Sequence, residues 1–437
     1  MEILLYLGGV VFMLIGLGLS IGLHEVGHLL PAKLFGVRVG QYMIGFGPRL
    51  WSRRIGETEY GFKALPLGGF ISMSGMYPPS ARSSPARGVF ASLVQDARTA
   101  NDETIADGEE HRVFYRLPVW KRVIVMLGGP AMNFLLAIAI FTVMASGIGI
   151  QQASTTVSAV TECVLPAGST QQACAADDPV APAAEAGVEA GDVLVSVGGQ
   201  QVQTFADASQ IIQRSPGEPL DIVVDRDGEN VDLTLTPVAA ERAEVDAEGR
   251  PVVDANGDPV TRTVGYAGIF AQQEYVPQPL GTGTELAVQQ TGAVASLVVN
   301  LPVKLWNVGV SLVTGAERDP NGPLSVVGVG RLAGEVAATD APVLNRLVVL
   351  MNLLAALNIA LFVFNLIPLL PLDGGHVIVA LWEGVKRAWA KLTGRAEPKP
   401  VDATRLVPVT VVVAVLLIGM GALLIIADLV KPMNLLG

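Results

Sequence analysis

Residues 3–34 read ILLYLGGVVFMLIGLGLSIGLHEVGHLLPAKL, and this stretch decides the fold. Its first part, residues 3–23, carries no charge, and apolar residues continue past Glu25. A helix of about 20 apolar residues crosses the hydrocarbon core of a bilayer. A secretory signal peptide is the alternative, but the stretch lacks a basic start and a small-residue cleavage site. We therefore predict a retained transmembrane helix.

Three further apolar runs follow at residues 123–147, 347–372 and 406–427, each long enough to cross a bilayer. Hydrophobic residues make up 51% of the 437 residues and charged residues only 16%, which argues against an ordinary soluble enzyme and a disordered chain. The net charge of -11 argues against a nucleic-acid partner. The sequence predicts four spans in a lipid bilayer.

The charges of the connecting loops predict the orientation of these spans. The loop at 49–122 holds eleven Lys and Arg residues, and the loop at 386–405 holds six. Residues 151–341 hold 8 basic and 25 acidic residues. Because basic loops stay on the cytoplasmic side, both basic loops are expected inside. The acidic segment and both termini are expected outside.

The motif His24-Glu25-Val26-Gly27-His28 has the pattern H-E-x-x-H. Residues four apart on a helix share a face, so both imidazoles can bind one zinc ion, with Glu25 as general base. Ionisable residues inside a membrane are costly and usually functional. A polar cluster at the membrane surface is the alternative, but it does not explain the zinc-binding spacing.

A catalytic zinc site needs a third protein ligand and an open position for water. The third apolar run ends in Asn365-Leu-Ile-Pro-Leu-Leu-Pro-Leu-Asp373-Gly-Gly-His376. The two prolines remove backbone donors and the paired glycines permit an unusual backbone, so the helix is expected to open here. Spans one and three run in the same direction, which brings Asp373 to the membrane depth of the motif. From the residues alone, Asp373 is favoured as third ligand and His376 is the alternative.

Three asparagines, Asn352, Asn358 and Asn365, lie in the third run. Hydrogen bonding between helices is the common role of asparagine in membranes, and we assign it to Asn352. Asn365 adjoins the Pro-Pro-Asp segment, so we expect it to orient the scissile peptide or stabilise its oxyanion.

The cytoplasmic loop has two predicted parts. Residues 44–76 alternate apolar residues between glycines, which indicates a β-hairpin. Residues 78–112 are rich in Pro, Ser and charged residues and are expected to be flexible. Trp120, Lys121 and Arg122 then suit an anchor at the membrane surface.

The acidic outer segment is typical of a small folded domain. Strands are predicted at 193–197 and 220–224, with a helix at 206–213 between them. Cys163 and Cys174 favour a disulfide over two free thiols, because the segment is exported. The Asp-Gly-Pro repeats at 246–260 depart from a calcium loop at its glycine and glutamate positions, and we interpret them as turns of a β-ribbon.

Together these residues resemble the site-2 protease family of intramembrane zinc metalloproteases, in its RseP-like branch with a PDZ domain. His24-Glu25-x-x-His28 matches the family's first motif, and Asn365-x-x-Pro-x-x-Pro-Leu-Asp373-Gly matches the second. Residues 66–70 look like part of its membrane-associated hairpin, and residues 181–192 look like the PDZ signature of this branch. Only one PDZ repeat is visible, whereas many relatives have two.

The resemblance implies a role for each motif residue. His24, His28 and Asp373 would bind one Zn2+ per chain, which favours Asp373 over His376. Glu25 would activate water, and Asn365 would help to hold the substrate. The implied substrate-binding residues are Pro66, Leu67, Gly68, Gly69 and Phe70.

The implied fold is an α-helical multi-pass membrane protein with four transmembrane helices, a membrane-associated β-hairpin on the cytoplasmic side and an inserted extracytoplasmic PDZ-like α+β domain. The expected location is the bacterial cytoplasmic membrane, with the active site near the cytoplasmic side. The expected segments are the first span with the zinc motif (1–48), the cytoplasmic loop (49–121), the second span (122–150), the PDZ-like domain (151–275), a helical region (276–345), the third span (346–385), a second cytoplasmic loop (386–405) and the fourth span (406–437).

The implied activity is hydrolysis of peptide bonds in or near the transmembrane helix of single-pass membrane proteins. Anti-sigma factors already cut outside and remnant signal peptides are substrates of this kind. The sequence does not identify the ligand of the PDZ-like domain. The alternatives are a non-catalytic membrane-anchored PDZ scaffold, a metal transporter, and a zinc protease that faces water on a membrane anchor. The absence of a charged path through the four runs argues against the transporter.

Overall fold

The computed structural model describes residues 2–78, 89–106, 108–164, 174, 178–243, 260–319 and 322–432. The helices are α1 (Glu2–Leu34), α2 (Val89–Asp102), α3 (Val119–Thr142), α4 (Pro182–Glu185), α5 (Phe205–Arg214), α6 (Thr282–Val299), α7 (Leu301–Thr314), α8 (Val326–Ala338), α9 (Val343–Asn365), α10 (Asp373–Leu392) and α11 (Val407–Val430). The strands are β1 (Val39–Ile55), β2 (Thr58–Met73), β3 (Ile150–Val160), β4 (Val193–Val197), β5 (Gln200–Gln201), β6 (Leu220–Arg226), β7 (Glu229–Leu235), β8 (Val238–Ala243), β9 (Thr261–Tyr266) and β10 (Ile269–Val276). The chain divides into two compact units, one of Met1–Gly147 with Pro279–Gly437 and one of Ile148–Gln278.

Four helical segments in the described part of the chain are long and apolar enough to cross a membrane. They are Glu2–Leu34, Val119–Ile148, Val343–Asn365 and Ala403–Val430. Each contains most of one predicted apolar run. Helices α6 and α7 meet the same criterion only as a pair, and the pair is bent by 65°. The chain is therefore rich in helix, with four candidate spans and additional β-sheet.

The third span is shorter than its apolar run. Helix α9 ends at Asn365, and residues 366–372 form turns instead of continuing the helix to residue 372. Pro368 and Pro371 cannot donate a backbone hydrogen bond, so a helix cannot propagate through them without loss. The chain becomes helical again at Asp373, the first residue of α10.

The predicted hairpin is present as the antiparallel pair of β1 and β2. Residues 41–44 of β1 have partners at two places on β2, namely 59–62 and 69–72. The segment at 69–72 therefore lies at a border of this curled sheet. Several large apolar side chains of the hairpin stay exposed, which suits contact with lipid: Phe46, Leu50, Trp51, Ile55, Phe62 and Leu65.

The expectation that residues 78–112 are flexible is wrong for 89–102, which form α2. Contacts distant in sequence hold this helix. Arg98 donates to the Asp402 carboxylate at 2.8 Å and to the Thr404 hydroxyl at 3.1 Å. The Asn101 amide exchanges hydrogen bonds with the backbone of Tyr77. Residues 79–88 and 107 lie outside the described residues.

The basic residues at the start of α3 point in different directions. Trp120 is exposed, and the Lys121 ammonium lies over its ring at 5.4 Å from the centroid. Arg122 is buried and pairs with Glu383 of α10. The expectation of a surface anchor is therefore wrong for Arg122, because successive helical residues face different sides of the helix.

The second unit is an α+β fold around one apolar core. Its main sheet has the order β10-β3-β4-β6-β7, with β5 paired to β4, and β8 pairs with β9 in a separate ribbon. The predicted strands at 193–197 and 220–224 are confirmed as β4 and β6, and the predicted helix at 206–213 is confirmed as α5. The core includes Val157, Leu194, Val197, Ile222, Val224 and Leu235.

Two local contacts organise the start of this unit. Cys163 and Cys174 form a disulfide, with their Cα atoms 5.8 Å apart, as predicted. The buried Asp192 carboxylate accepts hydrogen bonds from Arg226 at 2.7 and 2.8 Å. These bonds hold the pKa of Asp192 below its usual value. The repeats at 246–259 lie outside the described residues.

Candidate active site

Three side chains from two helices converge beside the second apolar span. His24 and His28 lie one turn apart on α1, and Asp373 is the first residue of α10. The Nε2 atoms of the two histidines are 3.3 Å apart. Oδ2 of Asp373 lies 3.3 Å from Nε2 of His24 and 3.4 Å from Nε2 of His28. The three potential ligand atoms thus form a nearly equilateral triangle.

This triangle has the size that a zinc ion requires. Tetrahedral zinc with bonds of about 2.0–2.1 Å needs ligand atoms about 3.3 Å apart. Oδ2 of Asp373 is buried, and no donor in the described part of the chain forms a hydrogen bond with it. A buried carboxylate oxygen without a partner is costly, and a cation would satisfy it. The residues present therefore fit one zinc ion.

The other nitrogen of each imidazole is tied to α3. Nδ1 of His28 lies 2.7 Å from the carbonyl oxygen of Val125, and Nδ1 of His24 lies 2.6 Å from Oδ1 of Asn133. Both partners are acceptors, so each Nδ1 must donate its proton. Each Nε2 then keeps a lone pair directed at the centre of the triangle. Such outer hydrogen bonds fix the ring orientation and tautomer of metal-binding histidines.

A buried chain of hydrogen bonds extends from His24 across three helices. Nδ2 of Asn133 on α3 donates to Oδ1 of Asn358 on α9 at 2.9 Å. Nδ2 of Asn358 donates to the hydroxyl of Ser20 on α1 at 2.9 Å. Asn358 therefore has a position in the site, whereas Asn352 is exposed on α9.

Glycines allow α1 and α3 to approach at the site. A Cβ atom at Gly27 would lie 2.2 Å from the carbonyl oxygen of Gly128, and one at Gly129 would lie 2.3 Å from Nε2 of His28. Any larger residue at Gly129 would displace an imidazole. The close crossing is what brings Val125 and Asn133 within hydrogen-bonding distance of the motif.

Glu25 lies on α1 between the two histidines and is only 7% exposed. The hairpin covers it, because a Cβ atom at Gly69 would lie 3.0 Å from Cγ of Glu25. Tyr42 of β1 also donates to the carbonyl oxygen of Gly22 on α1 at 2.7 Å. The hairpin is thus held directly against the motif.

The residues after α9 turn sharply before α10. A Cβ atom at Gly374 would lie 2.4 Å from the carbonyl oxygen of Leu366, and one at Gly375 would lie 2.4 Å from the backbone nitrogen of Leu370. Both glycines lie inside α10 with negative φ, so the expected unusual backbone is not found there. They serve instead to let the turn and the helix pack closely.

The structure separates the remaining candidates from the triangle. The His376 ring stacks on Tyr77, with centroids 6.4 Å apart, and is not part of the three-residue metal group. Nδ2 of Asn365 donates to the carbonyl oxygen of Leu361 in its own helix at 3.0 Å. Gly68, Gly69 and Phe70 lie on β2, and the side chains of Pro66 and Leu67 lie outside what the structure describes.

Sequence reasoning missed the residues that orient the histidines. Val125 binds His28 through its backbone carbonyl, so its residue type does not indicate this role in the sequence. Asn133 does carry a signal in the sequence, because it is a lone amide in an apolar span.

The profile of peptidase family M50 matches residues 12–396, which contain all three converging side chains. The chain is 32% identical over 444 residues to the zinc metalloprotease Rip1 of Mycobacterium tuberculosis, covering 99% of this chain and 100% of that protein. It is 34% identical over 438 residues to Rip1 of Mycolicibacterium smegmatis, covering 98% of each chain. It is 28% identical over 393 residues to the metalloprotease MmpA of Caulobacter vibrioides, covering 86% of this chain and 87% of that one. The resemblance to the site-2 protease family is confirmed at the level of the family, and the chain belongs to peptidase family M50, the site-2 protease family of zinc metalloproteases.

Proposed function

We propose that His24, His28 and Asp373 bind one zinc ion and that Glu25 is the general base for peptide-bond hydrolysis within the membrane. One observation carries the proposal. Three potential ligand atoms lie 3.3 to 3.4 Å apart, and the one acidic oxygen among them is buried and accepts no hydrogen bond from any residue that the structure describes. Membership of the M50 family supports the same chemistry.

The residues of this chain divide the reaction between them. Zinc, when bound, polarises the scissile carbonyl and makes a water molecule more acidic. The Glu25 carboxylate takes the proton of the attacking water and delivers it to the leaving amine nitrogen. Burial of Glu25 beneath the hairpin excludes bulk water, which strengthens its interaction with the reacting atoms.

Asn365 is proposed to hold the substrate backbone. It is the last residue of α9 and immediately precedes the turn that leads to Asp373. Its amide has two N–H groups, and the hydrogen bond to Leu361 uses one of them. The second can donate to a substrate carbonyl.

The hairpin is proposed to bind the substrate as an added strand. Residues 69–72 pair with β1 on one side, and no strand in the described ranges pairs with their other side. An extended peptide on that border would pass Gly69, which contacts Glu25. A transmembrane helix must unwind locally to be cut, and such a border supplies replacement hydrogen bonds. Residues 66–70 would form this binding segment.

The proposed substrates are single-pass membrane proteins already shortened outside the cell membrane, such as cut anti-sigma factors or remnant signal peptides. We further propose that residues 151–275 form a PDZ-like domain outside the bacterial cytoplasmic membrane. The acidic character of this segment and the basic loops at 49–122 and 386–405 support that orientation. The site would then lie near the cytoplasmic side.

The test uses membranes that contain the full chain or its Glu25→Gln variant. The substrate is a single-pass model protein truncated on its outer side. We expect the parent to cut within the substrate helix and Glu25→Gln to lose cleavage while keeping its zinc. Glu335→Gln, which removes a carboxylate paired with Arg331 on α8, is the control and should cleave like the parent.

Equal cleavage by the parent and Glu25→Gln would overturn the role of Glu25. A parent that neither cleaves nor contains zinc would favour the membrane-anchored PDZ scaffold instead.

A further inference from the structure

Two charged side chains meet inside the protein between α3 and α10. Glu383 is fully buried and Arg122 is 5% exposed. Arg122 Nη2 lies 2.8 Å from Oε1 of Glu383, and Nη1 donates to Oε2 at 3.1 Å. Arg387 and the backbone N–H of Val401 also contact this carboxylate, at 2.9 and 3.2 Å. Since apolar residues often join two helices equally well, a buried ion pair calls for a further explanation.

Arg122 shares a face of α3 with the residues that serve the metal site. Val125, Gly129 and Asn133 follow it at intervals of three or four residues, which places all four on one side of the helix. Val125 accepts from His28, Gly129 packs on both imidazoles, and Asn133 accepts from His24. The same face that positions the two histidines therefore also holds α10.

Helix α10 carries this contact to Asp373. Asp373 is its first residue, and Glu383 follows in the same continuous helix about 15 Å along the axis. The preceding residues 366–372 are turns, so α9 does not continue into α10 and cannot fix its position as one rigid rod. A contact further along α10 is therefore needed to fix the position of the Asp373 carboxylate.

We propose that Arg122 and Glu383 are a positioning pair that sets the distance of the Asp373 carboxylate from His24 and His28. The inference rests on the proposed assignment of these three residues as zinc ligands. Neither member of the pair touches the reacting atoms. Arg122 on α3 holds Glu383, and Glu383 fixes the position of α10 and therefore of Asp373. Loss of the pair should therefore change zinc affinity, beyond any effect on folding.

The same unit offers a matched control. Arg318 and Asp428 form a second buried pair, with Nη1 and Oδ1 2.6 Å apart and side chains 3% and 2% exposed. This pair joins the segment before α8 to α11, because Asp428 also accepts from the backbone N–H of Ser325. Asp428→Asn removes one charge from a buried pair, as Glu383→Gln does, without touching α3 or α10.

The experiment measures zinc affinity on the full-length protein in detergent micelles. Zinc is stripped with a chelator and titrated back against a competing chromophoric chelator. The variants are Glu383→Gln, Asp428→Asn and Asp373→Ala, and thermal unfolding of each metal-free protein is recorded in parallel. We expect both pair variants to lower the unfolding temperature. Glu383→Gln should also weaken zinc binding by about 10-fold, the lower end of the range seen when residues in direct contact with metal ligands are changed, while Asp428→Asn binds zinc like the parent.

The outcomes distinguish the positioning role of the Arg122–Glu383 pair from the assignment of Asp373 as a zinc ligand. Equal zinc affinity of Glu383→Gln and Asp428→Asn overturns the positioning role, provided that Asp373→Ala has lost zinc. Parent-like affinity of Asp373→Ala overturns the ligand assignment itself. If Glu383→Gln does not fold, Arg122→Lys decides by the same criterion, because it keeps the charge and loses the two-nitrogen fork.

Discussion

The two sides of the proposed zinc site are built in different ways. On one side, His24 and His28 stand on a single helix, and their separation follows from helical geometry. On the other side, Asp373 arrives at the start of α10 after a turn that interrupts the helix. A spacing within one helix is local and robust, whereas a spacing between helices depends on packing elsewhere. Substitutions that move the histidines should therefore reduce zinc affinity more than a substitution in the turn before α10.

The largest expected effect is removal of a ligand on the α1 side. His28→Ala deletes a ligand whose ring is held by Val125, and two ligands do not retain zinc at a catalytic site. Zinc content, measured by atomic emission on purified protein, should fall from about one per chain to near zero, with loss of peptidase activity. His111→Ala changes an exposed histidine and should keep both. Full zinc content in His28→Ala would place the metal elsewhere.

A smaller but still large effect is expected where α3 meets the imidazoles. Gly129→Ala places a Cβ atom 2.3 Å from Nε2 of His28, so the ring must move. Zinc affinity should fall by about 100-fold, at the upper end of outer-shell effects. Gly147→Ala, whose Cβ atom would meet nothing within 4 Å, is the control. Unchanged affinity in Gly129→Ala would mean that α1 and α3 can separate without cost to the site.

Removal of an outer hydrogen bond should cost less than displacement of a ring. Asn133→Ala leaves Nδ1 of His24 without its acceptor, and zinc affinity should fall by about 10-fold. The exposed Asn352→Ala should behave like the parent in the same chelator competition. A result in which both variants match the parent would show that α1 alone fixes the ring of His24.

The smallest effect is expected at the turn on the α10 side. Gly375→Ala forces the backbone near Leu370 to shift, and overpacking of this kind costs about 1–3 kcal/mol, partly offset by the better helix propensity of alanine. Zinc affinity should fall by less than it does in Asn133→Ala. Gly309→Ala on α7 faces open space and should be neutral or slightly stabilising. A complete loss of zinc in Gly375→Ala would show that the α10 side is as rigid as the α1 side.

The sequence predicted the part of the site that is encoded locally. His24, Glu25 and His28 follow from a helical spacing, and the four candidate spans follow from runs of apolar residues. The residues alone favoured Asp373 over His376 but left His376 open, and the family resemblance strengthened the choice, because a spacing argument cannot reach across a turn from one helix to another. The contact of His376 with Tyr77 depends on how α10 packs.

The features that sequence reasoning missed are all contacts between distant segments. The partner of His28 is a backbone carbonyl, which leaves no trace in the side-chain pattern. Arg122 was expected at the membrane surface because its partner, Glu383, lies far away in the sequence and no local pattern links the two residues. Helix α2 has a composition typical of a flexible loop, yet Arg98 and Asn101 bind it to segments that composition cannot anticipate.

The position of Asp373 in the chain also bears on how the protein is made. His24 and His28 are translated before Asp373, which follows only after the whole second unit and α9. A nascent chain would therefore carry two of the three proposed zinc ligands before the third is made. Under the proposed ligand assignment, the zinc site is complete only after α10 has been translated and packs on α3.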